Sequence, residues 1–256
     1  MKNKDEVLKE IKVSKKYKDI KDEVIIRIID ECYGNVKNNK LLIKEVKNKL
    51  HQIHEIFLNS SNNIKAKELV KIGESDEILK LHMSTLERLD FYDNFYKEIF
   101  SVTGVPRSIM DLACGYNPFS IKYMNLEDNF KYFAYDINVE TSEILNEFFR
   151  KNGYNAISST MDLAVDVPEE EVDVTFIFKF LPLIEQQNKS FSTTFLKRLK
   201  SKYIVVSFPT KTVTGRNVGM LNNYRNMFEK VIGNDFELLR ELVFDNEIIF
   251  IVKGNF

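Results

Sequence analysis

Acidic side chains and one glycine stand at the ends of three apolar segments of this 256-residue chain. The first segment ends in Asp111-Leu112-Ala113-Cys114-Gly115-Tyr116-Asn117-Pro118, the second ends at Asp136, and the third reaches Asp162. A glycine such as Gly115 lets the backbone approach a ligand closely. An acid about 20 residues after it accepts hydrogen bonds from both hydroxyls of a ribose. We therefore expect Asp136 to bind a ribose and Asp162 to accept an adenine amino group.

The loop around Gly115 has one glycine, whereas a dinucleotide-binding loop of the G-x-G-x-x-G type has three. A pyrophosphate needs closely approaching backbone amides and a helix dipole, so a nicotinamide dehydrogenase is disfavoured. S-adenosylmethionine contains no phosphate and tolerates a loop with less glycine. The loop and Asp136 together favour S-adenosylmethionine as the cofactor, with ordinary turn residues at strand ends as the alternative.

A second block, His82-Met83-Ser84-Thr85-Leu86-Glu87-Arg88, contains the capping-box pattern Ser-Thr-Leu-Glu and predicts a helix start. Free amides and the dipole at a helix start favour a carboxylate. Arg88 offers a two-pronged fork for the same group. The block is therefore a candidate site for the carboxylate of a methionine moiety, and an N-cap with a surface ion pair is the alternative.

The elements that position these residues follow from the pattern after Gly104, where short apolar runs alternate with helical segments. Such alternation is typical of a doubly wound sheet. A hairpin after five strands is the methyltransferase variant, so the predicted fold class is α/β, a Rossmann-like sheet of about seven strands. Strands are predicted at 108–112, 130–135, 155–159, 172–178 and 203–207, a hairpin at 236–244 and 248–252, and helices at 139–151, 191–199 and 220–231.

The first 103 residues contain no proline and two glycines, and they predict an all-helical domain. Residues 1–80 carry a balance of +4 and the remainder −5, which indicates a surface for a polyanion; a solvated helix face is the alternative. We predict a helical RNA-binding domain at 1–75, a connecting helix at 76–103 and the sheet domain at 104–256. Helices are predicted at about 4–13, 20–33, 40–58, 64–72 and 76–100.

Other features limit the class of protein. No apolar stretch reaches the roughly 20 residues of a membrane span, and no secretory signal is visible, so we expect a cytoplasmic protein. Two cysteines give no disulfide framework, and Cys114 is interpreted as a buried thiol. His51 and His54 share a helix face without further ligands at metal spacing, so no metal site is predicted.

Six blocks in this order resemble the Arm/Rmt-type aminoglycoside-resistance methyltransferases of 16S ribosomal RNA, over nearly the whole chain. They are Leu50-His51, the 82–88 block, the 111–118 block, Phe178-Lys179-Phe180-Leu181-Pro182, Ser207-Phe208-Pro209-Thr210-Lys211, and Gly219-Met220 with Asn223-Tyr224. The resemblance implies methylation of N7 of guanine 1405 in the 30S subunit, which gives resistance to gentamicin- and kanamycin-like drugs. It implies a cofactor shell of Phe57, His82, Ser84, Thr85, Arg88, Ala113, Asp136, Asp162, Leu163, Phe178 and Gln187.

The chemistry expected for such a reaction needs no general base, because N7 of guanine carries a free lone pair. The Asn/Asp-Pro-Pro-aromatic motif of amino-methylating enzymes is replaced by Lys179-Phe180-Leu181-Pro182. A flipped guanine needs a stacking partner, for which Phe208 is the candidate, with a packed turn as the alternative. Contacts to phosphate or the guanine edge are predicted for Lys179, Lys211 and Arg216. Contacts to backbone phosphates that do not read the sequence are predicted for Lys15, Lys16, Lys18, Lys44, Lys47 and Lys49.

Two rival functions remain open from sequence. One is a methyltransferase for another RNA position or a small molecule, and the basic helical region argues against a small substrate. The other is a non-catalytic RNA-binding protein on the same scaffold, which the acids Asp136 and Asp162 argue against. The expected partner is 16S rRNA in the 30S subunit, with no DNA or membrane partner, and the protein is expected to be monomeric.

Overall fold

The computed structural model describes residues 3–54, 60–187, 191–210 and 219–256, and a seven-stranded sheet runs through its centre. The strand order is β3-β2-β1-β4-β5-β7-β6. The first five strands are mutually parallel where they pair, and β7 lies antiparallel between β5 and β6. This confirms the predicted fold class. The strands are β1 Ser108–Leu112, β2 Lys131–Asp136, β3 Ala156–Thr160, β4 Glu171–Phe178, β5 Lys200–Pro209, β6 Leu238–Phe244 and β7 Glu247–Lys253.

The helices within residues 3–54 share a core of their own. Together with the helix at 60–72, whose Ala66 and Val70 pack into the core beside the sheet, they form what we call the helical layer (residues 3–54 and 60–72). Val7, Ile25, Leu42 and Val46 are fully buried together in it, at the spacing that puts one apolar stripe on each helix. The helices of this half are α1 Lys4–Lys12, α2 Asp22–Tyr33, α3 Asn39–His54, α4 Ser60–Ile72, α5 Ser75–Leu79, α6 Met83–Leu86 and α7 Tyr92–Thr103.

The single helix predicted at 76–100 is wrong, because α5, α6, a 3₁₀ turn at Leu89–Phe91 and α7 replace it. Thr85 explains part of the break. Its hydroxyl donates to the carbonyls of Leu79 and His82, over 2.6 and 3.0 Å, and such bonds compete with a continuous helix. The capping-box interpretation is also wrong, since Ser84 lies inside α6, and His82, in extended conformation, precedes it without a side-chain cap.

Helices also flank the sheet after β1. The helix α8 is capped by Asn138, whose side chain accepts from the Thr141 amide, and it ends at Gly153 in the left-handed conformation. No helix in the described ranges is both long and apolar enough to cross a membrane. These helices are α8 Val139–Asn152, α9 Leu181–Gln187, α10 Phe191–Arg198 and α11 Met220–Ile232, with a 3₁₀ segment at Asn117–Tyr123.

The strand order reverses between β1 and β4, which both lie at the centre of the sheet. In open parallel sheets, ligands bind outside the carboxyl ends of the strands at such a switch point. The 111–118 block, Asp136 and Phe178 all stand at this edge of the sheet. The fold therefore gathers the sequence-predicted residues at one edge.

Candidate cofactor-binding site

The loop after β1 folds back toward the end of β2. Ala113 and Gly115 both have positive φ, at 53° and 49°, and the Cys114 amide donates to the carbonyl of Tyr135 over 3.0 Å. A β-carbon on Gly115 would lie 3.5 Å from the His82 ring in a backbone conformation that favours glycine. The turn brings the Gly115 amide within 3.0 Å of Asp136 Oδ2, to which it donates.

Asp136 is a buried carboxylate with acceptor positions to spare. Besides the Gly115 bond, its Oδ1 accepts from the Asn138 amide over 3.0 Å. Burial raises the pKa of Asp136, against the lowering effect of the backbone amides. The Ile137 amide is a further backbone donor to this group, and because a carboxylate has about four acceptor positions, Asp136 can still take a further donor. The hydroxyls of a ribose are donors that suit this acceptor, and the half-buried Ala113 borders it.

Asp162, two residues after β3, is held by a residue that sequence reasoning missed. Its Oδ2 accepts from Arg27 Nε over 2.6 Å, and its Oδ1 accepts from Arg27 Nη2 and from the Ala164 amide, both over 3.2 Å. Arg27 lies on α2, 135 residues away. Leu163, which the family resemblance places in the cofactor shell, is buried in the core against β1 and β4.

Arg88 is buried and already paired, which corrects its expected role as a free fork for a carboxylate. Its Nε and Nη2 donate to the two oxygens of Glu247, over 2.7 and 2.5 Å. The guanidinium also stacks over the rings of Phe95 and Phe178, at 4.9 and 4.5 Å. Burial disfavours both charges, yet each partner stabilises the other: the pKa of Arg88 is raised and that of Glu247 lowered.

The remaining members of the 82–88 block lie close to the β1 loop. The His82 ring is buried at 5.8 Å from the Tyr116 ring, and Ser84 is half-buried. Thr85 is buried, with its hydroxyl bonded inside the block. A helix does start here, but α6 has only four residues, so its dipole is small. The structure thus brings His82 to the Gly115 loop, next to this short helix start.

Lys179 directly follows β4, and the structure contradicts its predicted contact with RNA. Its φ is 58°, its side chain is 7% exposed, and its Nζ lies 2.6 Å from Glu87 Oε2. The Lys179 amide donates to the carbonyl of Ser207 on β5. The side chain therefore lies inside the protein, where it is paired with an acid.

Phe208 is contradicted as a base-stacking residue, because it is fully buried. Its ring stacks on Tyr224 with centroids 5.0 Å apart and packs edge-on against Phe228 and Phe250, at 5.9 and 5.8 Å. The alternative of a packed turn is therefore correct for this residue. Aromatic side chains of α11 and β7 bury Phe208, which was predicted to lie in an accessible loop.

Several predicted residues remain untested. Phe57, Lys211 and Arg216 lie outside the described residues, as does the side chain of Gln187. Lys15 and Lys44 are exposed, and Lys16 and Lys47 are half-buried. The Nζ of Lys16 lies 2.8 Å from Nδ1 of His51.

A buried polar chain, which sequence reasoning missed, runs inward from Arg88 under the site. Asn117 Oδ1 accepts from Arg88 Nη1 over 3.3 Å, and Asn117 Nδ2 donates to Asp111 Oδ2 over 2.9 Å. The hydroxyl of Tyr132 donates to the same oxygen over 2.6 Å. Burial raises the pKa of Asp111 to about 6. This chain fixes the loop that follows Gly115 against the sheet.

Asp111 predicts a pH dependence of stability. Its pKa in the fold lies above the ordinary value of 3.8, so the native state binds the proton more tightly than the unfolded state. Stability from this group is therefore full below about pH 4 and falls as the pH rises to about 6. The substitution Asp111→Asn removes the titration, and the difference in unfolding free energy, variant minus wild type, is expected to rise across that window by about 1–3 kcal/mol.

Urea denaturation between pH 4 and pH 7 measures this difference. Asp166→Asn, at an exposed position, is the matched control and should follow the wild-type curve. Parallel curves for wild type and Asp111→Asn would show that Asp111 is ionised throughout this range.

Comparison with known proteins identifies the family of the chain. The sequence model for "Ribosomal RNA methyltransferase (FmrO)" matches residues 13–250. The chain belongs to this family. Relatives named 16S rRNA (guanine(1405)-N(7))-methyltransferase come from Serratia marcescens, 30% identical over 99% of both chains, and Proteus mirabilis, 31% identical over 97% of this chain and 96% of that one.

Two solved structures of 16S rRNA methyltransferases share the whole architecture. The alignment with the 16S rRNA methyltransferase RmtF, solved in complex with S-adenosyl-L-homocysteine, covers 100% of both chains, with a TM-score of 0.91 and 27% identity. The 16S rRNA methylase RmtB covers 99% of both at 0.88 and 28%. These matches confirm the family resemblance drawn from the six sequence blocks.

Proposed function

We propose that this protein transfers a methyl group from S-adenosylmethionine to N7 of guanine 1405 of 16S rRNA, within the 30S subunit, and so gives aminoglycoside resistance. Relatives of that name match nearly its full length. The observation that carries the proposal is the buried Asp136 carboxylate at the switch point, next to the Gly115 turn. Both residues suit the ribose of an adenosyl group, and the loop has one glycine rather than the three of a pyrophosphate-binding loop.

The chain's own residues bind and orient rather than exchange protons. S-adenosylmethionine supplies, when bound, an electrophilic methyl group on a sulfonium. Asp136 would hold the ribose and Asp162 the adenine amino group, while His82 and Ala113 border the site. Guanine N7 attacks with its own lone pair, so no residue has to remove a proton. The rate then comes from proximity and alignment and from electrostatic stabilisation of the charge that develops on the purine.

Mapping of the methylated position tests the function directly. Purified 30S subunits are incubated with the protein and S-adenosylmethionine, and the 16S rRNA is analysed by primer extension and mass spectrometry. One methyl group on N7 of guanine 1405 is the expected result. Methylation at another nucleotide, or a bound cofactor with no methylation at all, would overturn the proposed substrate position or the enzyme assignment, respectively.

The base-free mechanism predicts a chemical step that is nearly independent of pH. Single-turnover rates at saturating cofactor and subunit should stay flat from about pH 6.5 to 8.5, because a base tuned to neutrality would instead give a sloping limb or a bell. Single turnovers exclude product release from the measured rate. A titration in this range that His82→Ala abolishes would make His82 a base and end the base-free mechanism.

We further propose that the helical layer binds rRNA phosphates, and that the protein acts as a monomer on the 30S subunit. Lys15 and Lys44 are predicted contacts in this layer with exposed side chains. Each contact to phosphate that is lost should lower the slope of log affinity against log salt by about 1. Salt titrations of 30S binding should therefore show a shallower slope for the double variant Lys15→Gln/Lys44→Gln.

The matched control for this measurement lies at the opposite edge of the sheet. Lys131→Gln and Lys200→Gln remove the same charge at exposed positions where β2 and β5 begin, and their salt slope should equal that of the wild type. Equal slopes for the two double variants would place the RNA surface elsewhere.

A further inference from the structure

The helical layer reaches the ends of β2 and β3, where the two acids of the cofactor site stand. The backbone of Ile20 forms an antiparallel bridge with Asn138, and the Val139 amide donates to the carbonyl of Asp19 over 2.8 Å. Asn138 is also the residue whose amide donates to Asp136 Oδ1. The connection before α2 is thus bonded to the segment that carries one cofactor-binding acid.

Arg27 makes the equivalent contact with the other acid. Its Nε and Nη2 donate to separate oxygens of Asp162, over 2.6 and 3.2 Å, in a fork that fixes the plane of the carboxylate. Its Nη1 donates to Glu31 one turn further along α2, over 2.6 Å. The Arg27 and Asp162 side chains are 17% and 8% exposed. The guanidinium is therefore anchored from its own helix and directed at the carboxylate.

Counting donors shows which part of Asp162 is left for a ligand. Oδ1 accepts from Arg27 Nη2 and from the Ala164 amide, which takes both of its acceptor positions. Oδ2 accepts from Arg27 Nε and keeps one position. A carboxylate oxygen with one open position takes an N–H donor and repels a carbonyl oxygen.

We propose that Arg27 is a positioning residue of the cofactor site: it aims Asp162 Oδ2 at the 6-amino group of adenine and so selects adenine over a 6-oxo purine. The inference rests on the proposed function, which places an adenosyl group at this edge of the sheet. Specificity for the base then comes partly from α2, an element outside the sheet domain, and the helical layer completes the site.

Calorimetric binding of two ligands tests the inference. They are S-adenosylhomocysteine and its analogue with a carbonyl in place of the 6-amino group. Wild type is expected to prefer the amino compound by at least about 100-fold, since a site built for a hydrogen-bond donor rejects an acceptor. Arg27→Met should bind S-adenosylhomocysteine about 10-fold more weakly and lose most of the preference. Arg27→Lys, which keeps the charge without the fork, should fall between the two.

Lys67→Met is the matched control. Lys67 also links the helical layer to the sheet domain, through a 2.7 Å ion pair with Glu140 on α8, but it does not contact Asp162. Its preference for the amino compound should equal that of the wild type. An equal loss of affinity for both ligands in the Arg27 variants, with the preference kept, would make Arg27 a merely structural residue.

Other outcomes separate this inference from the function on which it rests. Should Arg27→Met fail to fold in thermal denaturation, Arg27→Lys decides, and an unchanged preference in it overturns the inference. Base selection that depends on Arg27, in a protein that does not methylate 30S subunits, supports the inference and overturns the function. A wild type that binds neither ligand overturns both.

Discussion

Replacing Glu247 with alanine is expected to lower the free energy of unfolding by about 3–5 kcal/mol, because it leaves a buried guanidinium without its counter-charge. Glu247 and Arg88 are both 1% exposed and are joined by two hydrogen bonds. The rings of Phe95 and Phe178 enclose the guanidinium, so water cannot replace the lost carboxylate. Chemical denaturation of wild type and Glu247→Ala measures the loss.

The surface pair Arg225–Glu241 gives a matched control. It has the same fork geometry, with a contact of 2.5 Å, but its side chains are 35% and 30% exposed. Glu241→Ala should therefore cost less than about 1 kcal/mol. The double variant Arg88→Met/Glu247→Met should be more stable than either single one, since it leaves no charge unpaired. A single Glu247 variant as stable as Glu241→Ala would mean that water reaches Arg88.

Asp136→Ala is expected to weaken S-adenosylhomocysteine binding by about 10- to 100-fold, because it removes the proposed acceptor for the ribose hydroxyls and leaves donors unsatisfied. The amide of Gly115 would lose its partner at the same time, which loosens the turn that borders the site. Calorimetry measures the affinity, and thermal denaturation verifies that the variant is folded. Unchanged affinity in a folded variant would remove Asp136 from the site.

Asp166→Ala is the control, as an exposed acid four residues after Asp162. It should leave the affinity at the wild-type value. Asp136→Asn keeps one acceptor oxygen, so its affinity should lie between those of Asp136→Ala and the wild type.

The sheet was predictable because each strand is indicated by the residues within it and directly beside it. The strands β1 and β4 are short apolar runs bounded by turn residues, and their predicted limits agree with the structure to within a residue. The acids Asp136 and Asp162 were predictable as candidates for the same reason, since the carboxyl ends of parallel strands meet at one edge. The family resemblance identified further sequence blocks that the hydrophobic periodicity alone does not indicate.

The contacts that determine whether a side chain is buried or paired join residues far apart in the sequence, and they were not predictable. Glu247 meets Arg88 across 159 residues, and Arg27 meets Asp162 across 135. Nothing near Arg88 in the sequence indicates a buried acid as its partner. Phe208, beside Pro209, was likewise predicted to be accessible, but α11 and β7 enclose it in the structure. A residue type and its spacing predict what a side chain can do, and the tertiary partner decides whether it is available.

The position of β7 has a consequence for how the chain is made. This strand follows the other six in sequence but lies inside the sheet, between β5 and β6. During synthesis the edge of β5 therefore stays unpaired after most of the domain has emerged, and such an edge is prone to intermolecular pairing. Glu247, the partner of Arg88, is the first residue of β7, so Arg88 has no counter-charge until this strand has been synthesised. Both the pairing of β5 and the neutralisation of Arg88 therefore depend on β7, the last strand of the sheet to be synthesised.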